Sequence, residues 1–138
     1  MRKLLAILLM LGGSAQALGC EKYDTPGVTL TGTVKIKTFY GPPNYGEQPA
    51  TDSKEQQAIL LLSKPLCTLE SKDDQAEKDE MEVTLVPMGN VDFDRYANKS
   101  IKVSGSLFHA FTAHHNTTLL LEVTKEPQLL AAQPAKGK

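Results

Sequence analysis

The residues of this chain that could do chemistry crowd into one stretch, HAFTAHHN, from His109 to Asn116, which holds all 3 histidines. Neutral imidazole ligates zinc, copper or nickel, and it titrates near physiological pH. Adjacency restricts the metal reading, because in extended backbone His114 and His115 point to opposite faces and only one readily joins His109. The metal alternative is therefore a zinc or copper site using the His109, His114 and His115 cluster, completed by Asp, Glu or water. Catalysis finds less support: there is no Gly-x-Ser-x-Gly, no phosphate loop and no His-Glu-x-x-His. Ser104 and Ser106 lie near His109 in sequence, but adjacency along a strand does not make a nucleophile–base pair. The chain is read as non-enzymatic, with no catalytic residue and no resident cofactor.

The two cysteines, Cys20 and Cys67, follow an N-terminal segment ordered as basic (Arg2, Lys3), apolar (Leu4 to Leu11) and small (Ala15-Gln16-Ala17). That order is a secretory signal peptide over 1–17, cleaved after Ala17. The apolar run is too short to span a bilayer, and no later segment qualifies as transmembrane. Export to a bacterial periplasm or beyond puts both cysteines in an oxidising space, where a Cys20–Cys67 disulfide is expected. Such a staple contributes on the order of 3–4 kcal/mol through the unfolded state. Ala17-Leu18-Gly19-Cys20 loosely resembles a lipoprotein signal but lacks the aliphatic residue three before the cysteine. Cys20 is therefore read as a disulfide partner, without a lipid anchor. Removal of Arg2 and Lys3 leaves 13 basic against 16 acidic residues, net −3. With no basic stripe, nucleic acid is not an expected partner.

These residues need elements to position them. Val28 to Phe39 alternates apolar and polar, with Gly32 at a bend, and is the clearest strand. Gln57 to Leu62 and Met81 to Val86 are two more strands, ended by Pro65 and by Pro87 with Gly89. Asp92 to Ala97 fits one or two helical turns capped by Asn90 or Asp92, with Phe93 and Tyr96 facing the core. Ile101, Val103 and Leu107 share a parity, with Gly105 between them, and Leu119-Leu120-Leu121 suits a strand covered on both faces. The polar lead-in Glu21 to Pro26 and the charged stretch Thr68 to Glu80 read as solvated surface. Residues 127–138 read as a disordered tail. The order β-β-β-α-β-β over 18–126 predicts an all-β, five-stranded OB-like barrel with one short helix; the alternative is a small antiparallel β-sandwich.

In an OB-like barrel the loops after the first and fourth strands flank one face. Here they are 40–54, stiffened by Pro42 and Pro43, and 109–116. Together they would gather Tyr40, Asn44, Tyr45, Phe108, His109, Phe111, His114 and His115 as a ligand-binding surface. A plainer alternative lets Phe108 and one tyrosine plug the barrel end, while His109 bonds a backbone carbonyl.

The segments GPPNY (Gly41 to Tyr45), KPLC (Lys64 to Cys67) and VSGSLFHAFTAHHNTTLLLEV (Val103 to Val123) resemble a family of small bacterial exported proteins classed as a domain of unknown function. The chain departs from that family's pattern at Asn116, where a further histidine is common, and at Thr118, where proline is. The resemblance implies a periplasmic setting and a shared architecture, and no activity. The expected function is a periplasmic or secreted binding module for a protein or cell-envelope ligand, of the inhibitor, immunity or accessory type.

Overall fold

The computed structural model describes residues 19–131. The expected signal peptide over 1–17, its expected cleavage after Ala17 and the last residues of the tail lie outside that range. The alternation from Val28 onward becomes β1 (Val28–Tyr40), with Val28, Leu30 and Val34 buried and the intervening threonines turned out. It is followed by β2 (Lys54–Leu66), β3 (Glu80–Pro87), a 3₁₀ turn (Phe93–Tyr96), β4 (Ser100–His109), β5 (Leu119–Val123) and β6 (Gln128–Leu129). The helical element is a single 3₁₀ turn, capped by the Asp92 carboxylate, which accepts from the Asp94 N–H. Phe93 is buried, and Tyr96 packs against the core beside it.

All six strands belong to one sheet, in the order β1-β2-β3-β5-β4-β6, and an additional β1–β4 pairing closes five of them into a ring. Two packed sheets, as a sandwich requires, are not what forms. Only β3 and β5 run parallel; the other pairs are antiparallel. Inside the ring, Val34, Leu60, Val83, Ile101, Leu107 and Leu121 are each 0% exposed. Burial of each such side chain contributes about 1.5–3 kcal/mol.

Two glycines make the closure possible. β1 pairs with β4 from Val28 to Thr33 and with β2 from Gly32 onward, so its two pairings overlap at Gly32 and Thr33. Up to Gly105, β4 pairs with β1, and from Ser106 it pairs with β5. At each handover the next strand's backbone comes too close for a side chain. A Cβ would lie 2.2 Å from the Leu61 carbonyl oxygen at Gly32 and 2.0 Å from that of Glu122 at Gly105. The obstacle is neighbouring backbone, rather than the interior of the ring.

Other expectations are revised. β2 runs well past Gln57–Leu62 at both ends and carries Pro65 inside it, within a register shift between Leu61 and Leu66 that frees that position from the ladder. Met81 shares the parity of Val83 and Leu85 but is exposed. The tail is not disordered from residue 127: Gln128–Leu129 pair with Lys102 and Ile101 on a part of β4 that β5 does not reach. The lead-in is not simply solvated either. Tyr23 is buried in the core; its hydroxyl donates to the Gln75 carbonyl and accepts from Thr68 Oγ1.

Cys20 and Cys67 form a disulfide, with Cα atoms 4.8 Å apart. Beside it, Glu21 N–H donates to the Cys67 carbonyl and Leu69 N–H to that of Glu21, both at 2.9 Å. A disulfide fits a secreted or periplasmic protein. Among the described residues no helix is long and apolar enough to cross a membrane.

Candidate functional site

The loop from Gly41 to Ser53 is organised by a carboxylate that the sequence did not single out. Asp52 is 8% exposed and accepts from the backbone N–H of Asn44 and Gly46 at 2.8 Å and of Gln48 at 3.1 Å. Burial alone would raise its pKa, but these three amides outweigh burial and hold it below the usual carboxylate range. Asn44 therefore serves the loop's own fold. Tyr45 and Gly46 adopt positive φ, 49° and 100°. The Pro42–Pro43 peptide bond is cis. The Asp52 hub fixes a loop that presents Tyr45, with Tyr40 exposed beside Gly46.

The loop from Ala110 to Thr118 folds back over the outer face of the sheet. Ile59, Thr84, Leu120 and Phe108 are registered neighbours across β2, β3, β5 and β4, and on this outer face Ile59 and Leu120 are almost fully buried. Thr117 Oγ1 sits 2.7 Å from Thr84 Oγ1, while His115 packs edge-on against Phe108 at 5.5 Å between centroids. His115 also fixes the loop. Its Nδ1 accepts from the backbone N–H of Phe111 at 3.0 Å and Thr112 at 3.3 Å. An accepting Nδ1 is unprotonated, in agreement with a pKa lowered by burial and then by the nearby His114. Phe111 stands above His115 in a T-shaped contact at 4.8 Å and is 79% exposed.

The two loops meet. Tyr45 Oη lies 3.0 Å from His114 Nε2 with the rings edge to face, and His114 Nδ1 lies 2.9 Å from the Glu55 carboxylate. Gln57 Nε2 donates to the His114 carbonyl at 2.7 Å, and Asn116 Nδ2 donates to Gln57 Oε1 at 3.1 Å. Tyr45, His114, His115, Phe108 and Phe111 thus form a continuous ledge. Glu55 and Gln57 join it from β2, where their types carried no sequence signal.

His109 lies elsewhere. It falls on the inward parity of β4, while Phe108 falls on the outward one. Its Nε2 donates to Glu77 Oε1 at 2.9 Å and its Nδ1 to the Ala110 carbonyl at 3.0 Å; the ring lies edge-on to Tyr23. Two acceptors favour the doubly protonated ring. The Ala110 carbonyl first, and then Glu77, raise its pKa, while burial opposes them. Glu77 in turn is lowered by Gln75 and then by His109. The charged stretch after Thr68 is thereby tied to the ring instead of standing free in solvent.

The three imidazoles are thus committed to different partners. Among the described residues no group of three or more His, Cys, Asp or Glu side chains is placed to hold a metal ion. Ser104 Oγ is hydrogen-bonded to Thr29 Oγ1 at 2.9 Å on the outer surface.

Beside the ledge, a groove of about 610 Å³ opens between β2 and β3. The paired register ends at Ala58↔Leu85, and continuing it would set Gln56 against Pro87, which has no N–H to donate. The groove's apolar lining includes Ala58, Leu85, Val91 and Phe93, and His114 and His115 stand at its side toward the ledge.

A family model described as "Domain of unknown function (DUF4431)" matches residues 80–126, which run from β3 through β5 and include the loop of His114 and His115. The GPPNY and KPLC segments lie outside that span. No curated protein and no solved structure matches the chain.

Proposed function

We propose that this chain is a non-enzymatic periplasmic or secreted binding module of OB-like barrel form, engaging a protein or cell-envelope ligand through the loops 40–54 and 109–116. The observation that carries this reading is the Tyr45–His114 contact, which fuses the two loops into one ledge ending in the exposed Phe111. Large aromatics on rigid loops lose little entropy on binding and are common anchors of interfaces. The Asp52 hub supplies that rigidity on one side and His115 on the other. Five strands in a ring with a short helical turn between the third and fourth support the barrel description. The binding set is Tyr45, His114 and Phe111, with Tyr40 and Phe108 flanking; Asn44, His115 and His109 shape the loops.

The test is recovery of partners from periplasmic extract on the immobilised protein and on Tyr45→Ala, Phe111→Ala and their combination. Each single change should weaken a captured partner by about 1–2 kcal/mol, as loss of a contact aromatic does. Partners retained equally by all variants would move the functional surface away from this ledge.

A further inference from the structure

The groove beside the ledge has a form of its own. On this edge β2 has no registered partner beyond Ala58, so the segment from Lys54 to Gln57 pairs only with β1. Four residues of strand present about 13 Å of edge. Below this edge, Val91, Phe93 and Leu85 make an apolar floor, each at most 8% exposed. The groove's lining includes the exposed carboxylates Asp92 and Asp94 and no lysine or arginine, Lys54 lying beyond that lining at the end of the edge. A strand edge over an apolar floor fits an extended peptide, whose alternate side chains point down and up. The acidic rim selects the charge of the upward ones.

Resting on the binding reading above, we propose that the groove receives an extended segment of the partner protein, added as a strand beside Lys54–Gln57, with apolar residues on Phe93 and Val91 and basic residues at Asp92 and Asp94. The aromatic ledge would then hold the body of the partner while the groove takes one of its strands. The neighbouring His114 is held by Glu55 and Tyr45, and this keeps the ledge wall of the groove fixed.

The test titrates the ¹⁵N-labelled protein with a capped hexapeptide alternating lysine and valine. Amide shifts should concentrate at 54–58 and 86–94. Asp92→Asn with Asp94→Asn should weaken binding at least tenfold; asparagine still caps the 3₁₀ turn, so the fold is kept. A glutamate–valine peptide should bind at least tenfold more weakly than the lysine one. N-methylation at alternate residues of one parity should abolish binding, because a strand needs those N–H groups. The inference is overturned if the glutamate peptide binds equally well, if neither N-methylated parity matters, or if the shifts report a second copy of this chain docking at the same edge. Partner capture that depends on Tyr45 and Phe111 but ignores the Asp92/Asp94 variant would likewise end it, while leaving the ledge reading standing. Capture that ignores both sets would end the two together.

Discussion

At the scale of single residues, two histidines six positions apart are set up in opposite senses. His109 faces two acceptors, which favour its protonated form, whereas His115 accepts from two backbone amides, which favours the neutral one. With an unfolded pKa of about 6.5, the raised His109 pKa gives a stabilisation fully present below that pH and lost as pH climbs through the folded value. The depressed His115 pKa gives one present above about pH 6.5 and lost as pH falls through the folded value. His109→Gln should therefore cost about 1 kcal/mol at pH 6 and less at alkaline pH. His115→Ala should show its largest cost above pH 7, with the difference shrinking toward pH 5. Urea midpoints across that range measure both. Identical ring titrations of the two residues by NMR would contradict the assignment. Sequence showed that these imidazoles could titrate, but not which way, because the deciding partners, Glu77 and the Phe111 amide, are set by chain folding. Asp52 was invisible for the same reason: one carboxylate among many acquires its role only when three amides turn toward it.

At the scale of elements, strand order was readable and strand contact was not. Alternation of Val28, Leu30 and Val34 and of Ile101, Val103 and Leu107 marks inward faces directly. Gly32 was visible as a bend and Gly105 as a gap in an apolar parity, yet the atom that excludes a side chain is a carbonyl of the next strand, which no local pattern contains. Gly105→Val should cost about 3 kcal/mol or more, because backbone must move, and Ser106→Val about 1 kcal/mol or less. Thermal midpoints of the two variants decide, and equal values would remove the handover role of Gly105. The histidine loop had no evident folding task in sequence. Its contacts are on the outer face, with Phe108 and Thr84, beside the buried Leu120 and Ile59 that make β5 and β2 continuous apolar runs. The charged 68–80 stretch read as solvent-facing because charge counts do not reveal that Glu77 meets His109.

At the scale of the whole molecule, the disulfide encloses β1 and β2 and leaves the other strands outside its loop. Replacing Cys20 and Cys67 together by alanine should lower stability by about 3–4 kcal/mol, chiefly by freeing the unfolded chain. Denaturation of the variant beside the oxidised protein measures it. An unchanged midpoint would assign the hold on the N-terminal segment to Tyr23 and the Glu21 backbone bonds alone. The pairing of the two cysteines was legible from counting; the buried Tyr23 network that reinforces it was not, since a lone tyrosine in a polar lead-in carries no signal of burial.

The β1–β4 seam sets the order in which the chain can assemble. Thr29 and Ser104, which meet across it, are 75 residues apart, whereas β4 and β5 are joined by a short connection. Closing so long a span gains little until the strands on either side of it are paired, so the seam should be the last contact made. Val103→Ala should then accelerate unfolding while leaving the refolding rate nearly unchanged, a φ-value near zero, and Leu121→Ala should slow refolding as well. A chevron plot for each reads this directly. A molecule that zips shut at one seam also opens there first, so brief excursions from the native state should bare the strand edges of β1 and β4 before any other.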